Sequence, residues 1–389
     1  MKTQIENGIV TLFLSGRVDS TNAQTTDDEI SRCLAGLPHE SLILDLSDLE
    51  YVSSAGLRIV LKLRKKYPEL SLINVSSEVY DILDMTGFTE MIQVSKAFRR
   101  ISIDGCEAIG AGANGIVYRI DRDTIVKVYK DSGALDDIRR ERELARTAFI
   151  MGIPTAIPYD VVRVGETYGS VFELLNARSF AEILQEDSSN LEAVARESMK
   201  VAHIIHSLEA PANLPSENDV AMEWLGQIRE YLSAEEYEKF VSLIDALSGA
   251  GTMIHGDFHI KNIMRQNGET LLIDMDTLSK GHPIFELAFM YNAYKGFGIT
   301  DPGVIERFLG IGSDTACSLW RRSLEYYLDT NDPARLDEVE KKASLIGLLR
   351  VMRRPIEKGT ADSEESRAVI SACGDAIRKL LTEIDTLEF

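Results

Sequence analysis

The string His255-Gly256-Asp257-Phe258-His259-Ile260-Lys261-Asn262, followed eleven residues on by Ile273-Asp274-Met275-Asp276, constrains this chain more than any other feature. It sets an Asp, an Asn and a second Asp at spacings suited to phosphoryl transfer on a metal–nucleotide complex. One Asp can orient and deprotonate an attacking hydroxyl, while the Asn and the second Asp can hold Mg²⁺ against nucleotide phosphates. The flanks agree. Met253-Ile254 is an apolar run-in, Gln266-Asn267-Gly268-Glu269 is a turn signal, and Leu271-Leu272-Ile273 reads as a strand ending at Asp274. Asp276 reads either as a third metal-site acid or as a helix cap.

Such chemistry needs a phosphate cradle upstream. Gly110-Ala111-Gly112-Ala113-Asn114-Gly115-Ile116-Val117 fits G-x-G-x-x-G-x-V, in which glycines let the backbone approach phosphate oxygens. A dinucleotide fold would open a helix after these glycines. Here they lead into β-rich Ile116 to Ile120, a turn at Asp121-Arg122-Asp123 and a second strand, Thr124 to Tyr129. Lys127 falls where a phosphate-pairing lysine belongs. A lone lysine at such a position is more often a solvated strand residue; the order glycines, Lys, Glu, Asp-Asn, Asp argues against coincidence.

Residues 105–389 resemble the protein-kinase-like superfamily, and within it the aminoglycoside phosphotransferase and choline kinase branch. His-Gly-Asp in place of His-Arg-Asp carries this, with Ile-Asp-x-Asp in place of Asp-Phe-Gly and no Ala-Pro-Glu. The resemblance implies an α+β bilobal fold with a helical C-lobe, the N-lobe at about 105–175 and the C-lobe at 176–389. It implies ATP and Mg²⁺ as cofactors. Asp257 would be the catalytic base, Asn262 and Asp274 the metal ligands, and Gly110, Gly112 and Gly115 the phosphate cradle. Lys127 would pair the phosphates with Glu141 as partner, Glu143 being the competitor on another face of the same helix. Leu174, in Val171 to Leu175, would belong to a hinge strand whose main chain meets adenine. Pro283 to Ala288 resembles the segment that closes the catalytic loop region.

Residues 1–104 read as a separate α/β domain, a mixed sheet with helices packed on it. Expected strands are Ile9–Gly16, Leu42–Leu46, Leu70–Val75 and a last one at Phe88–Ile92. Expected helices follow a cap at Arg17-Val18-Asp19-Ser20, and span Ser54–Lys66 and Val79–Met85. Leu14-Ser15-Gly16-Arg17-Val18-Asp19, Tyr51-Val52-Ser53-Ser54-Ala55-Gly56-Leu57 and Asp84-Met85-Thr86-Gly87-Phe88 resemble the STAS domain of anti-sigma factor antagonists. That resemblance makes Ser54 a candidate phosphoacceptor, at a helix start whose free N–H groups favour a phosphate. Ser53 departs from the Asp that phospho-regulated members carry there. Ser53 or Ser54 read alone is simply an N-cap.

The join at Lys96 to Gly105 holds no Pro-, Gly- or Ser-rich linker, which predicts that the two domains pack together. Net charge is −20; residues 1–104 hold 11 Lys and Arg against 15 Asp and Glu, and the remainder 31 against 47. This argues against nucleic acid and anionic membrane as partners and permits a cationic substrate. Cys33, Cys106, Cys317 and Cys373 show no paired spacing for zinc or disulfides. With no apolar signal region at Met1 to Glu6, a cytoplasmic location is expected. His203 and His206 read as structural. Trp320, Tyr326, Tyr327 and Arg353 are conceivable acceptor contacts, although aromatics at such spacings are more often core.

The expectation is therefore an ATP- and Mg²⁺-dependent phosphotransferase acting on a hydroxyl, with a small molecule as the favoured acceptor, coupled to a STAS regulatory or docking domain. The alternative is a signalling protein of a sigma-factor pathway. There Ser54 would be a phospho-switch bound by an anti-sigma factor or another protein, or the kinase domain would act as a protein Ser/Thr kinase or nucleotide sensor.

Overall fold

The computed structural model describes residues 1–6, 8–35, 41–111, 115–131, 135–247 and 251–389. Gly112 and Asn114 of the glycine turn lie outside the described residues. The chain divides into two units, residues 1–102 with 162–165, and residues 103–161 with 166–389.

In the first unit β1 (Lys2–Glu6), β2 (Ile9–Val18), β3 (Ser41–Val52), β4 (Ser71–Val75) and β5 (Gln93–Lys96) form a five-stranded sheet in that order. β1 runs antiparallel to β2, and the other pairs are parallel. Parallel neighbours need crossovers, here α1 (Ala23–Leu34), α2 (Ser54–Lys66), α3 (Ser77–Met85) and the single turn α4 (Phe88–Met91). Val10, Leu12 and Leu14 alternate into the core from β2, and Leu57, Val60 and Leu63 face it from α2.

Two expected elements move. Phe88–Met91 is a helical turn capped by Ile92, and the last strand follows it. Phe88 and Ile92 are both buried, four residues apart, which is the helical period, and the Ile92 N–H donates to the Phe88 carbonyl at 2.9 Å. The first helix starts at Ala23, after Asn22, because β2 keeps residues 17 and 18 paired with Tyr51 and Val52.

A short strand, β6 (Arg99–Ile101), ends this stretch. The second unit opens with an antiparallel meander: β7 (Glu107–Ala111), β8 (Gly115–Arg119) and β9 (Thr124–Tyr129). α5 (Leu135–Ile150) follows, then β10 (Pro158–Val164) and β11 (Thr167–Glu173), which pairs antiparallel with β9. The remainder is mainly helical. It holds β12 (Arg178–Ser179), α6 (Phe180–Glu186), α7 (Leu191–His206), α8 (Glu217–Gln227) and α9 (Ala234–Asp245). The hairpin of β14 (Ile263–Gln266) and β15 (Glu269–Leu272) comes next, after β13 (Thr252–Ile254), which pairs with β16 (Ser279–Gly281). The chain closes with α10 (Ile284–Tyr294), α11 (Gly303–Leu309), α12 (Ser313–Leu328), α13 (Pro333–Glu357) and α14 (Glu364–Glu383).

α10 is buried on nearly every face, so its sequence is apolar all round. It packs against α13, whose stripe Leu336, Val339, Ala343, Ile346 and Leu349 is buried. This pair is the floor beneath the His255–Asn262 loop. Among the described residues no helix is long and apolar enough to cross a membrane.

Candidate active site

The hairpin β14–β15 brings the two acidic strings together. Ile273 donates its N–H to the Asn262 carbonyl at 3.0 Å, and the His255 ring contacts the Ile273 carbonyl at 3.2 Å. Asn262 Nδ2 donates to the main-chain and side-chain oxygens of Asp257, at 3.0 and 3.1 Å. Asp274 ends the hairpin with φ +66°, a left-handed conformation that costs a non-glycine residue energy. Gly256 has φ +84°, and a Cβ there would lie 2.5 Å from the Thr277 carbonyl, so only glycine closes this turn.

Asp257 is 39% exposed, open to an incoming group. Burial alone would raise its pKa. The hydrogen bond and charge of His259, at 3.3 Å, with the charges of Arg350 and His255, outweigh this and hold the carboxyl at about 2. It is therefore ionised throughout the neutral range.

Lys127, on β9, extends to Glu141 of α5 at 2.7 Å and lies 3.8 Å from Asp274. Burial pulls the lysine pKa down, but Glu141, Asp274 and Asp276 raise it on balance, so the ammonium stays charged. Tyr129 donates to the other Glu141 oxygen at 2.7 Å, so both carboxylate oxygens are held. Glu143 points elsewhere, to Arg142 and Arg146. Asp276 sits in the single turn Met275–Thr277, with Asp274 at the cap position. Burial and the nearby Asp274 and Glu141 charges push its carboxyl up to about 7.

These groups border a cleft of about 530 Å³. Gly110, Gly115, Lys127, Glu141, Leu174 and Asp274 all line it; Asp257 and Asn262 do not. A Cβ on Gly115 would lie 2.4 Å from the Val128 carbonyl, so glycine is required for β8 to lie so close to β9. The Leu174 N–H is committed to the Asp123 carbonyl at 2.8 Å. Gly112 lies outside the described residues. Ser54 is exposed at the first position of α2, and the cap is Ser53, whose hydroxyl accepts the Ala55 N–H at 3.2 Å.

Two further residues hold the loop, one of them within Pro283 to Ala288, the segment expected to close it, and one with no local signal. Glu286 on α10 is fully buried, and its carboxylate accepts the N–H of His255 at 2.6 Å and of Gly256 at 3.1 Å. Arg350 on α13 donates to the Gly256 carbonyl at 3.2 Å. Both clamp the loop from far along the chain. The aromatic candidates Trp320, Tyr326 and Tyr327 are otherwise engaged. Trp320 is fully buried and donates to Glu340, Tyr326 donates to Glu192, and the Tyr327 hydroxyl meets His206 at 2.7 Å.

Residues 105–326 match the family model described as the phosphotransferase enzyme family, and residues 1–101 match that of the STAS domain. The first unit is similar to BtrV of Bordetella bronchiseptica, whose name places it with the anti-sigma factor antagonists. The two are 32% identical over 95 residues, 23% of this chain and 81% of the relative. An anti-sigma F factor antagonist of Paenibacillus polymyxa is 24% identical over 102 residues, 24% of this chain and 87% of the relative. Among solved structures, the ADP-bound aminoglycoside phosphotransferase APH(2'')-Ib superposes with a TM-score of 0.50 at 15% identity, over 79% of this chain and 99% of that one. That likeness speaks to the fold. The glycine strand pair, the clamped His-Gly-Asp loop and the family match converge: the chain belongs to the phosphotransferase enzyme family and carries a STAS domain ahead of its kinase fold.

Proposed function

We propose that this chain transfers the γ-phosphate of ATP, with Mg²⁺, to a hydroxyl of a small-molecule acceptor, and that its STAS domain regulates or docks that activity. The observation that carries this is the joining of Lys127 to Glu141 at 2.7 Å in the cleft that Asp274 also lines. The protein whose fold is shared holds ADP, which agrees.

The donor set fits a divalent cation. Asp274, Asp276 and Glu141 face the ammonium of Lys127, and burial together with the charges of Asp274 and Glu141 lifts Asp276. Among the described residues no group of three His, Cys, Asp or Glu side chains is arranged to hold a metal ion. Mg²⁺ is commonly held by one or two side chains together with substrate phosphates. Asn262 and Asp274 would hold it, and the bound ion would neutralise charge on the transferring phosphoryl group.

Lys127, kept charged and aimed by Glu141, would pair nucleotide phosphates. Gly110, Gly112 and Gly115 would let main-chain N–H groups approach them. Leu174 would serve at the adenine end through its carbonyl, its N–H being taken. Asp257 would accept the hydrogen bond of the acceptor hydroxyl and take its proton as the new O–P bond forms and the bond from the γ-phosphorus to the bridging oxygen breaks, releasing ADP. A carboxylate held at about 2 is a weak base, but a loose transition state asks mainly for orientation. Glu286 and Arg350 hold the loop that aims it. In thermal-shift titrations of the full chain, Mg-ATP stabilises the protein and Asp274→Ala removes the metal-dependent part. No shift at millimolar Mg-ATP would end this reading.

A second reading rests on the exposed Ser54 hydroxyl, free of capping duty, on a unit similar to anti-sigma factor antagonists. Ser54 would be a phospho-switch for an anti-sigma factor or another protein partner. Phosphate on Ser54 would add about −2 charge at a helix start that tolerates it, altering a docking face without unfolding the unit. Mass spectrometry after incubation with Mg-ATP, and of protein taken from its own cells, finds phosphate on Ser54 if this holds. An unmodified Ser54 in both samples rejects it.

A further inference from the structure

Building on the phosphotransfer reading, we propose that the acceptor carries an anionic group, a carboxylate or a phosphate, recognised by the α13 arginines Arg350, Arg353 and Arg354, of which Arg350 lies beside Asp257. The three lie at i, i+3 and i+4 on α13, hence on one face. Arg350 touches the catalytic loop itself through the Gly256 carbonyl, one residue before Asp257. None of the three lines the 530 Å³ cleft, so they approach Asp257 from outside the proposed nucleotide site.

Each guanidinium lies over an aromatic ring: Arg350 over Phe289 at 4.3 Å, Arg353 over Trp224 at 4.7 Å and Arg354 over Phe297 at 5.2 Å. Stacking fixes the plane of a guanidinium and leaves its edge donors for a planar or tetrahedral anion. Their charge is under-matched. Arg353 pairs with Glu357 at 2.7 Å, whereas Arg350 and Arg354 have no ion pair among the described residues. Arg353 Nε is buried and has no hydrogen-bond partner among the described residues. Of the acids that act on Arg350, Asp257 is the proposed base itself and Glu217 is buried, with one oxygen accepting from Ser279 and its carboxyl pushed up to about 7; Glu286 accepts the His255 and Gly256 N–H groups. A net charge of −20 describes the chain as a whole; here three guanidinium groups meet Asp257, Glu217 and Glu357, and the two arginines without an ion pair among the described residues favour an anion over a polycation.

The test uses the full chain at constant ionic strength with Mg-AMP-PNP present, so that the phosphate cradle is filled. Sulfate, glycerol 3-phosphate and glycerate are titrated by thermal shift, with glycerol as neutral and kanamycin as cationic control. Glycerol 3-phosphate or glycerate stabilises saturably, the preferred one telling phosphate from carboxylate, and Arg353→Gln/Arg354→Gln weakens that binding about tenfold or more. The variant's AMP-PNP shift, read on the same samples, stays within about twofold of wild type in affinity, which also reports folding. Absence of any saturable effect beyond chloride, an undiminished effect in the variant, or tighter binding of kanamycin overturns the inference. If AMP-PNP itself gives no shift in the wild type, the phosphotransfer reading fails and the acceptor assignment falls with it. If AMP-PNP shifts and the anions do not, only the anionic acceptor falls.

Discussion

Replacing Glu217 by Gln makes the protein more stable above neutrality, and the size of the gain follows from where the carboxyl sits. Glu217 begins α8 and is 6% exposed. One oxygen accepts the Ser279 hydroxyl at 2.6 Å, and the other is buried with no hydrogen-bond partner among the described residues. Burial is the main cause that lifts its pKa from 4.5 to about 7; the Ser279 hydrogen bond and the Arg350 charge only partly offset it. A folded-state pKa above the unfolded value favours the protonated form. The associated stability is thus complete below pH 4.5, falls as pH rises through about 7, and is then flat. At about 1.4 kcal/mol per pK unit the full loss is roughly 3 kcal/mol. Gln imitates the protonated acid and does not titrate. In urea denaturation of the second unit's transition, the advantage of the Glu217→Gln variant over wild type widens by about 2–3 kcal/mol between pH 5 and pH 8. A pH-independent difference would mean that Glu217 is ionised in the fold at pH 5, paired more fully with Arg350 than burial allows, and would refute the reasoning.

Two further outcomes bear on the loop. Asp257→Asn leaves Mg-ATP affinity nearly unchanged while turnover falls by about 10²–10⁴, measured as ADP release, because the lost group acts on the acceptor; equal turnover would remove Asp257 from its role. Glu286→Gln replaces one acceptor oxygen with a donor facing a buried main-chain N–H, costing about 2–4 kcal/mol in denaturation experiments. That substitution also slows turnover; full activity at wild-type stability would show that the clamp on His255 and Gly256 is dispensable.

What the chain announces by itself is local. The turn Gln266 to Glu269, the strand before Asp274, the strand that follows the glycines and the alternation of Val10, Leu12 and Leu14 are each written within a few residues, because hairpins and amphipathic strands depend on short-range backbone geometry. The resemblance then supplied names for Lys127, Glu141, Asp257, Asn262 and Asp274 as candidates. The helical turn at Phe88 is ambiguous in sequence because five apolar-rich residues satisfy a strand pattern as readily as a helix; burial of both Phe88 and Ile92 decides it.

Only the tertiary structure decided how those candidates are held. Glu286 reaches His255 across 31 residues, and Arg350 reaches Gly256 across 94. The resemblance points to the segment around Glu286 but not to the contact, and no local pattern marks Arg350, since each contact depends on α10 and α13 packing against one another under the loop. The sign of charge beside Asp257 is likewise a product of folding. Composition sums every exposed acid into −20, whereas helix periodicity collects Arg350, Arg353 and Arg354 on one face, and packing sets that face against Trp224, Phe289 and Phe297. Charge adds over the whole sequence, but a site feels only the groups within a few ångströms of it, and which groups those are is fixed by packing.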